Sequence, residues 1–406
     1  MCSNQVEAAM AELLIRVGAQ DVALIERVLR GDDGRPDRVV VDAHVARAQP
    51  RIRDAVRAAG IPFLIDPQTH LLQDCQHPAD AWASLSFARA QIMTPADLMN
   101  PGVAAQVVAD VIDYQVEQGA TAIVLPYVHI EETDGGWVKV QRALWKASTT
   151  HLSEKRLALP VIAVVALGWR LLDRSNWPQG LGQLMGTLRH VAPAEVALAA
   201  SKVDAGVHPD VRLVTMIATI RRLSKLAPVI AWQQGVLGEA AVAGGAIGYE
   251  CGIGWRERCN LPSSMSQHRR PPSGSGARPV YLSALGRSLP KRSVEAVMAN
   301  QRLAAELTCM DHACCPQGKD TLLGDTRHHT IRARREALTR VSAPASAAWK
   351  WQQLAVDAQA RLDLADRINA YTGRTGLKVK VPTDALRAVL IVADNRRQTI
   401  RRRPAA

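Results

Sequence analysis

Eight short β-rich runs, at 39–42, 62–66, 121–127, 160–167, 196–201, 228–233, 245–250 and 279–285, are separated by stretches with helical spacing. Most are nearly continuous in apolar residues. Strands read this way when both their faces are covered, whereas a sheet with one wet face would alternate. The intervening stretches suit crossover helices: 103–118 ends at Gly119, 209–226 opens on Pro209, and 288–307 has Pro290 near its start. Eight strand–helix units predict an α/β fold of the (β/α)8 TIM-like barrel type, with a doubly wound open sheet as the competing arrangement. Residues 5–29 have helical spacing too and predict an N-terminal helix, stopped at Gly31-Asp32-Asp33-Gly34.

The chain has 406 residues, 48% of them apolar, enough for a barrel of roughly 250 residues and a second region. We divide it into a barrel with its N-terminal helix, 1–307, and a zinc-binding, basic, helical C-terminal extension, 308–406, with helical stretches at 330–340, 345–371 and 383–395. Two insertions, 68–94 and 252–278, fall in loops that follow strands, and the second contains Pro271-Pro272-Ser273-Gly274-Ser275-Gly276. No apolar run approaches the ~20 residues of a membrane span, and no basic segment followed by an apolar run opens the chain. The cysteine count of seven is odd, and Cys2, Cys75, Cys251 and Cys259 are scattered. Reduced thiols and a cytoplasmic location are expected. No feature speaks to oligomeric state.

A formal charge of +12 attracts polyanions, nucleic acid foremost. The basic residues are bunched at His268-Arg269-Arg270, at Arg332, Arg334, Arg335 and Arg340, and at Arg396, Arg397 and Arg401 to Arg403. The other reading is a solvated basic surface with a disordered tail. Aromatics make up 4%, so no stacking stripe for single-stranded nucleic acid is visible.

In a barrel, the residues just after each strand converge on one mouth. Here they are Asp42 and His44; Asp66, Gln68 and His70; Tyr127 and His129; Trp169; Ser201, Lys202 and Asp204; Gln233 and Gln234; Glu250; and Arg287. Carboxylates, imidazoles and amides together suit proton transfer or nucleophilic chemistry on a polar ligand. Asp42 and Asp66 are equally suited to capping turns, and the histidines to supporting roles. In Gly244-Gly245-Ala246-Ile247-Gly248-Tyr249-Glu250, glycines flanking a strand admit a flat ligand or another backbone. Cys309, Cys314 and Cys315 fall within seven residues, with His312 among them and His328-His329 beyond. Sulfur and imidazole at this density are the ligand set of a structural Zn2+, which we assign to Cys309, Cys314, Cys315 and His328, with His312 and His329 as alternatives. Ordinary reduced cysteines are the other reading.

Three segments together resemble the tRNA-guanine transglycosylase family, including its relatives that insert 7-deazaguanines into DNA. Phe63-Leu64-Ile65-Asp66-Pro67-Gln68 resembles that family's strand ending in a catalytic Asp. The 244–250 segment resembles its glycine-rich base-recognition motif. Tyr281-Leu282-Ser283-Ala284-Leu285-Gly286, with Val294-Glu295-Ala296-Val297, resembles its last strand and helix, and the cysteines and histidine follow in the family's order. The family's Ser-Gly-Gly turn is replaced by Pro67-Gln68-Thr69, and no Asp stands beside Leu307-Thr308-Cys309 in the register of its nucleophile. The resemblance implies exchange of guanine in DNA or tRNA for a deazapurine through a carboxylate nucleophile, here Asp66 or Asp42. Gln68, Gln233, Gly245, Gly248 and Glu250 would bind the purine, and the basic helices would hold phosphates. The alternatives are a barrel enzyme for a small polar metabolite, or a nucleic-acid-binding barrel without catalysis.

Overall fold

The computed structural model describes residues 10–31, 34–173, 177–272 and 277–401, without the side chains of 178–179 and 397–401. Nine strands form one parallel sheet: β1 (Glu12–Val17), β2 (Arg38–Asp42), β3 (Phe63–Asp66), β4 (Ile123–Val124), β5 (His129–Ile130), β6 (Val161–Leu167), β7 (Glu195–Ala200), β8 (Val229–Ala231) and β9 (Gly248–Gly252). The hydrogen-bonded order is β3-β2-β1-β9-β8-β7-β6-β4, with β5 extending along β6, and a bridge from Leu64 to Ala122 joins the two ends. The ring is therefore a nearly closed eight-position barrel.

Seven of the eight expected runs are barrel strands, and the missing first strand lies inside the stretch read as helix. Leu13, Ile15 and Val17 pack outward with the helices, while Leu14 faces the barrel interior. A strand covered on both faces and paired on both edges, with β2 and β9, carries no alternation to betray it. Among the described residues of the expected helix, Val22–Arg30 is α-helical, preceded by a 3-10 turn at Ala19–Asp21; residues 1–9 and 32–33 lie outside the described residues. The run at 279–285 is not the eighth barrel strand. It forms an antiparallel hairpin, β10 (Val280–Leu282) with β11 (Arg287–Leu289), turned through Gly286 at φ 65°. Of the Pro/Ser/Gly segment, 273–276 lies outside the described residues.

Helices follow the strands in turn at Val22–Arg30, Pro50–Ala58, Pro101–Glu117, Trp137–Glu154, Trp177–Val191, Pro209–Leu223 and Gly238–Gly244. The eighth position is filled only after a long insertion. Thr326–Ser342 packs between Val22–Arg30 and Gly238–Gly244, against β1. Beyond it, Ala347–Thr375 and Asp384–Arg401 pair with each other, and the latter covers Pro209–Leu223. A second core joins the hairpin, Lys291–Val297, Gln301–Leu307, Cys314, Cys315 and Leu364 to Ile368. Hairpin and cysteines share one apolar cluster, so the packing around the cysteines reaches back across position 308 to Val280.

Inside the barrel, alternation sets the layers. Leu14, Val40, Leu64, Val124, Ile162, Ala197 and Ile230 fill the interior. Two residues further along, the same parity brings Arg16, Asp42, Asp66 and Trp232 to the inward face, beside Glu250 of β9. The closure of β1 on β9 depends on Gly248, where a Cβ would stand 2.3 Å from the Glu12 carbonyl oxygen. Gly248→Ala is expected to cost about 3 kcal/mol in urea unfolding. Gly182→Ala, with nothing within 4 Å of the new methyl, should be neutral or stabilising.

Candidate active site and metal site

Arg16 is the residue around which the inward polar layer is built. It comes from β1, is 3% exposed, and shares its guanidinium among three carboxylates. Nη1 meets Asp42 Oδ1 at 2.5 Å, Nη2 meets Asp66 Oδ2 at 2.8 Å, and Nε meets Glu250 Oε1 at 2.9 Å. Asp42 is also paired with Arg256. Asp66 accepts from the Gln68 amide at 2.9 Å, the Tyr127 hydroxyl at 3.0 Å and Trp232 Nε1 at 3.3 Å. Glu250 accepts from the Gln233 amide at 2.8 Å. A cation buried this deeply is stable only when fully paired.

The charges do not balance locally, since two guanidinium groups face three carboxylates. Burial alone would raise Asp42, but Arg256 and Arg16, with His44, outweigh it and hold its carboxyl well below the usual range. Burial pushes Glu250 up, only partly offset by Arg16 and reinforced by Asp66. Glu250 is therefore the member most inclined to hold a proton. His70 is stacked on Tyr127 at 5.4 Å. Burial above all, with His129, His268 and Arg256 acting in the same direction, holds the His70 imidazole well below its ordinary value. Neither of its ring nitrogens has a partner among the described residues.

Above this floor the mouth is split in two. One cleft, of about 330 Å³, is lined by Gln68, Gln233, Trp255, Arg256, Arg258 and Asn260 among others. The other, of about 230 Å³, reaches Arg16, Asp42 and His44. Trp255 and Arg256 border both. Gln68 (φ 51°) and Gln233 (φ 56°) sit in the left-handed region, the kind of strain that collects where side chains are aimed at a ligand. Gln68 Oε1 is buried without a partner among the described residues. Trp255 is 48% exposed.

Of the residues singled out from sequence, Asp42, Asp66, Gln68, Gln233 and Glu250 converge here. Gly245 and Gly248 do not: Gly245 caps the helix Gly238–Gly244, and Gly248 opens β9, both at the barrel end opposite the mouth. Their small size serves helix termination and β1–β9 contact. Arg287 sits in the hairpin, bonded to the Pro382 carbonyl. His129 pairs with Glu131 at 2.9 Å, Asp204 with Arg258 at 2.9 Å, and Trp169 lies under Arg212 at 4.8 Å. Sequence reasoning missed Arg16, Trp255 and Arg256. Arg16 had a signal: one cation within the apolar run 13–17 must find carboxylates.

The thiols of Cys309, Cys314 and Cys315 and a nitrogen of His329 lie within 4.8 Å of one another. His329, not His328, completes the set: His329 is buried and faces the sulfurs at 3.3 and 3.5 Å through Nδ1, whereas His328 is turned away on the same helix. His312 is exposed. The adjacent cysteines converge because both their amides donate to the Asp311 carbonyl, at 3.1 and 2.7 Å. Tetrahedral Zn–S bonds of about 2.3 Å separate sulfurs by about 3.8 Å, and the Cys314 and Cys315 sulfurs are 3.8 Å apart. The donors therefore fit zinc. Burial and the neighbouring thiols push the Cys314 and Cys315 thiols up, so a cation bound here would release protons. Burial lowers His329 to about 4, leaving it neutral as a ligand must be.

The basic clusters are largely spent inside the chain. Arg332 pairs with Asp311 at 2.7 Å, Arg334 with Glu257 at 2.7 Å, Arg335 with Asp37 at 2.6 Å and Arg340 with Glu336 at 2.8 Å. His268 holds Asp80 and Arg269 holds Asp74, each at 2.8 Å. Arg402, Arg403 and the side chains of Arg397 and Arg401 lie outside the described residues. Among the described residues no helix is long and apolar enough to cross a membrane.

No family model and no curated protein matches this sequence. Solved structures that it resembles in shape include a GH18 chitinase from Pseudoalteromonas aurantia, at 8% identity and a TM-score of 0.37 over 64% of this chain and 100% of that one. Another is a thiamine phosphate pyrophosphorylase from Pyrococcus furiosus, at 11% identity and a TM-score of 0.31 over 64% of this chain and 94% of that one. A third is a putative fructose-1,6-biphosphate aldolase from Coccidioides immitis, at 8% identity and a TM-score of 0.34 over 82% and 88%. Likeness this slight carries no argument about chemistry, and none of the three is a transglycosylase.

Removing the central cation should unbalance the layer. Arg16→Met is expected to cost roughly 3–5 kcal/mol at neutral pH. In the unsubstituted protein two contributions oppose each other: Asp42, held below 3.8, gives stability that is lost as pH falls below that value, and Glu250, pushed up by burial, gives stability that grows as pH falls. In Arg16→Met, Asp66 and Glu250 lose their cation while Asp42 keeps Arg256, so the gain in stability as pH falls from 7 to 5 should become larger, read by urea unfolding across pH. At the metal site, elemental analysis should find about one zinc per chain. His329→Ala and Cys315→Ser should lose it, and His328→Ala should keep it.

Proposed function

We propose that this chain is a barrel enzyme whose mouth takes a planar heterocyclic base with attached phosphate, and that it exchanges guanine in nucleic acid for a deazapurine. The observation that carries the reading is the cleft itself. Gln68, whose Oε1 is buried without a partner among the described residues, lines it together with Gln233, the exposed Trp255, Arg256 and Arg258. Amides recognise the edges of a base, an indole stacks on its face, and guanidinium groups bind phosphate.

The residues divide the work unequally. Asp66 is wholly buried and accepts four hydrogen-bonding or ionic contacts. It holds Arg16 and the Gln68 turn in place. Asp42 lines a cleft and is covered by Arg256. If Arg256 turns to a phosphate, Asp42 becomes the reachable nucleophile. Its oxygen would bond C1′ as the C1′–N9 bond breaks and guanine leaves, taking a proton at N9. The incoming deazapurine would then lose its N9 proton and displace the carboxylate. Zinc held by Cys309, Cys314, Cys315 and His329 would fasten the C-terminal module and take no part in these steps.

A second reading is a small phosphorylated metabolite as substrate. The modest cleft of about 330 Å³ favours it, and so do the basic-helix arginines already paired with acids. Incorporation of labelled guanine into DNA and into tRNA separates the two. Exchange is expected with the unsubstituted protein, and Asp42→Ala should lower it on the order of a thousandfold. A covalent protein–nucleic acid adduct should be recoverable under denaturing conditions with the unsubstituted chain only. No exchange, together with tight binding of small phosphate esters, would move the assignment to the second reading. Exchange unaffected by both Asp42→Ala and Asp66→Ala would remove these carboxylates from the chemistry.

A further inference from the structure

Arg334 is buried at 1% exposure, apart from the layer around Arg16. It stands on Thr326–Ser342, five residues after His329 of the metal site. Its Nη1 donates to the Gly235 carbonyl at 2.6 Å and its Nη2 to Glu257 Oε1 at 2.7 Å, and its guanidinium lies 4.4 Å above the Tyr281 ring. Ser288 of the hairpin donates to the same Glu257 oxygen at 2.7 Å. Taking a guanidinium out of water is costly, and an apolar side chain would fill the same space more cheaply if filling were all that is needed. What Arg334 grips is therefore informative.

It grips two loops that wall the proposed base cleft. Gly235 directly follows Gln233 and Gln234, and Glu257 stands between Arg256 and Arg258. The loops are joined to each other by the Val236 amide, which donates to the Glu257 carbonyl at 3.1 Å. Gly235 makes the approach possible, since a Cβ there would lie 2.7 Å from Cys251 Cβ and 3.2 Å from Arg334 Nη1. One side chain of the eighth-position helix thus fixes the spacing between Gln233 on one wall and Arg256 on the other.

We infer that Arg334 is a positioning residue that holds these two walls in register, and that through the helix it shares with His329 it makes loop order depend on metal at the cysteine site. Its functional consequence rests on the reading of the cleft as the ligand site; the positioning itself does not. The experiment is hydrogen exchange of segments 232–238 and 252–260 in the full chain, with and without one equivalent of Zn2+, alongside calorimetric titration with guanosine 5′-monophosphate. In the unsubstituted protein Zn2+ should slow exchange in both segments about tenfold. Arg334→Met should abolish that protection while β6 and β7 exchange as before, and Arg334→Lys should restore part of it. The nucleotide should bind about tenfold more weakly to Arg334→Met. Equal loop protection in the unsubstituted and Arg334→Met proteins would overturn the inference. So would a loss of protection spread evenly over β6 and β7, since that is general destabilisation. If the nucleotide fails to bind the unsubstituted chain, the cleft reading falls, and the exchange data still judge Arg334. Should Arg334→Met not fold, Glu257→Gln weakens the same grip and carries the same comparison.

Discussion

The pairing of one buried guanidinium with three buried carboxylates is the constraint to which the mouth of this barrel answers. Asp42, Asp66 and Glu250 come from three strands that meet only because β1 lies between β2 and β9. Without Arg16 on β1, these carboxylates would repel one another in a low-dielectric interior, and the strand ends would have to part or take up protons. The arrangement also decides which groups remain reachable. Asp66 is consumed by contacts, Glu250 is pushed toward its neutral form, and Asp42 is left at the edge of a cleft, paired with Arg256.

Much of the barrel was legible because parallel strands leave a plain trace. Val39 to Val41 or Val161 to Leu167 cannot be amphipathic helices at that length, and their alternation with helical stretches predicts the ring. The first strand was not legible for the same physical reason turned around. Leu13, Leu14, Ile15 and Val17 are apolar on both faces, so their spacing fits a helix as well as a strand, and Val22–Arg30 directly behind extended the helical pattern. Misplacing β1 hid Arg16. It also promoted Val280–Leu282 to a strand of the ring, although among the described residues it pairs with β11 alone.

Site residues followed a similar division. Asp42, Asp66, Gln68, Gln233 and Glu250 could be named because strand ends converge in any such barrel. Gly245 and Gly248 were drawn in by the glycines flanking a strand and by the resemblance of that segment to a base-recognition motif, whereas the structure uses Gly245 to end a helix and Gly248 for close packing at the other end. The cysteines were recognisable by density alone. The choice between His328 and His329 was not, because it depends on helix phase: one side of Thr326–Ser342 faces the thiols, and neighbouring residues on a helix point about 100° apart. Charge counts alone leave out where the arginines are paired. Arg332, Arg335 and Arg340 read as a footprint for phosphates, yet each meets an acid of its own chain, and in two of the three that acid is far away in sequence.

The eighth helical position is taken by Thr326–Ser342, more than seventy residues after β9 ends at Gly252. During synthesis, then, all the strands emerge before the segment that shields β1 and Gly238–Gly244 exists. The nascent ring must wait with an apolar flank uncovered while the insertion, the hairpin and the cysteine loop are made. Contacts of such long sequence separation form slowly and leave intermediates prone to association. Were a zinc ion held by Cys309, Cys314, Cys315 and His329, its early capture would draw the covering helix to its place beside the first strand.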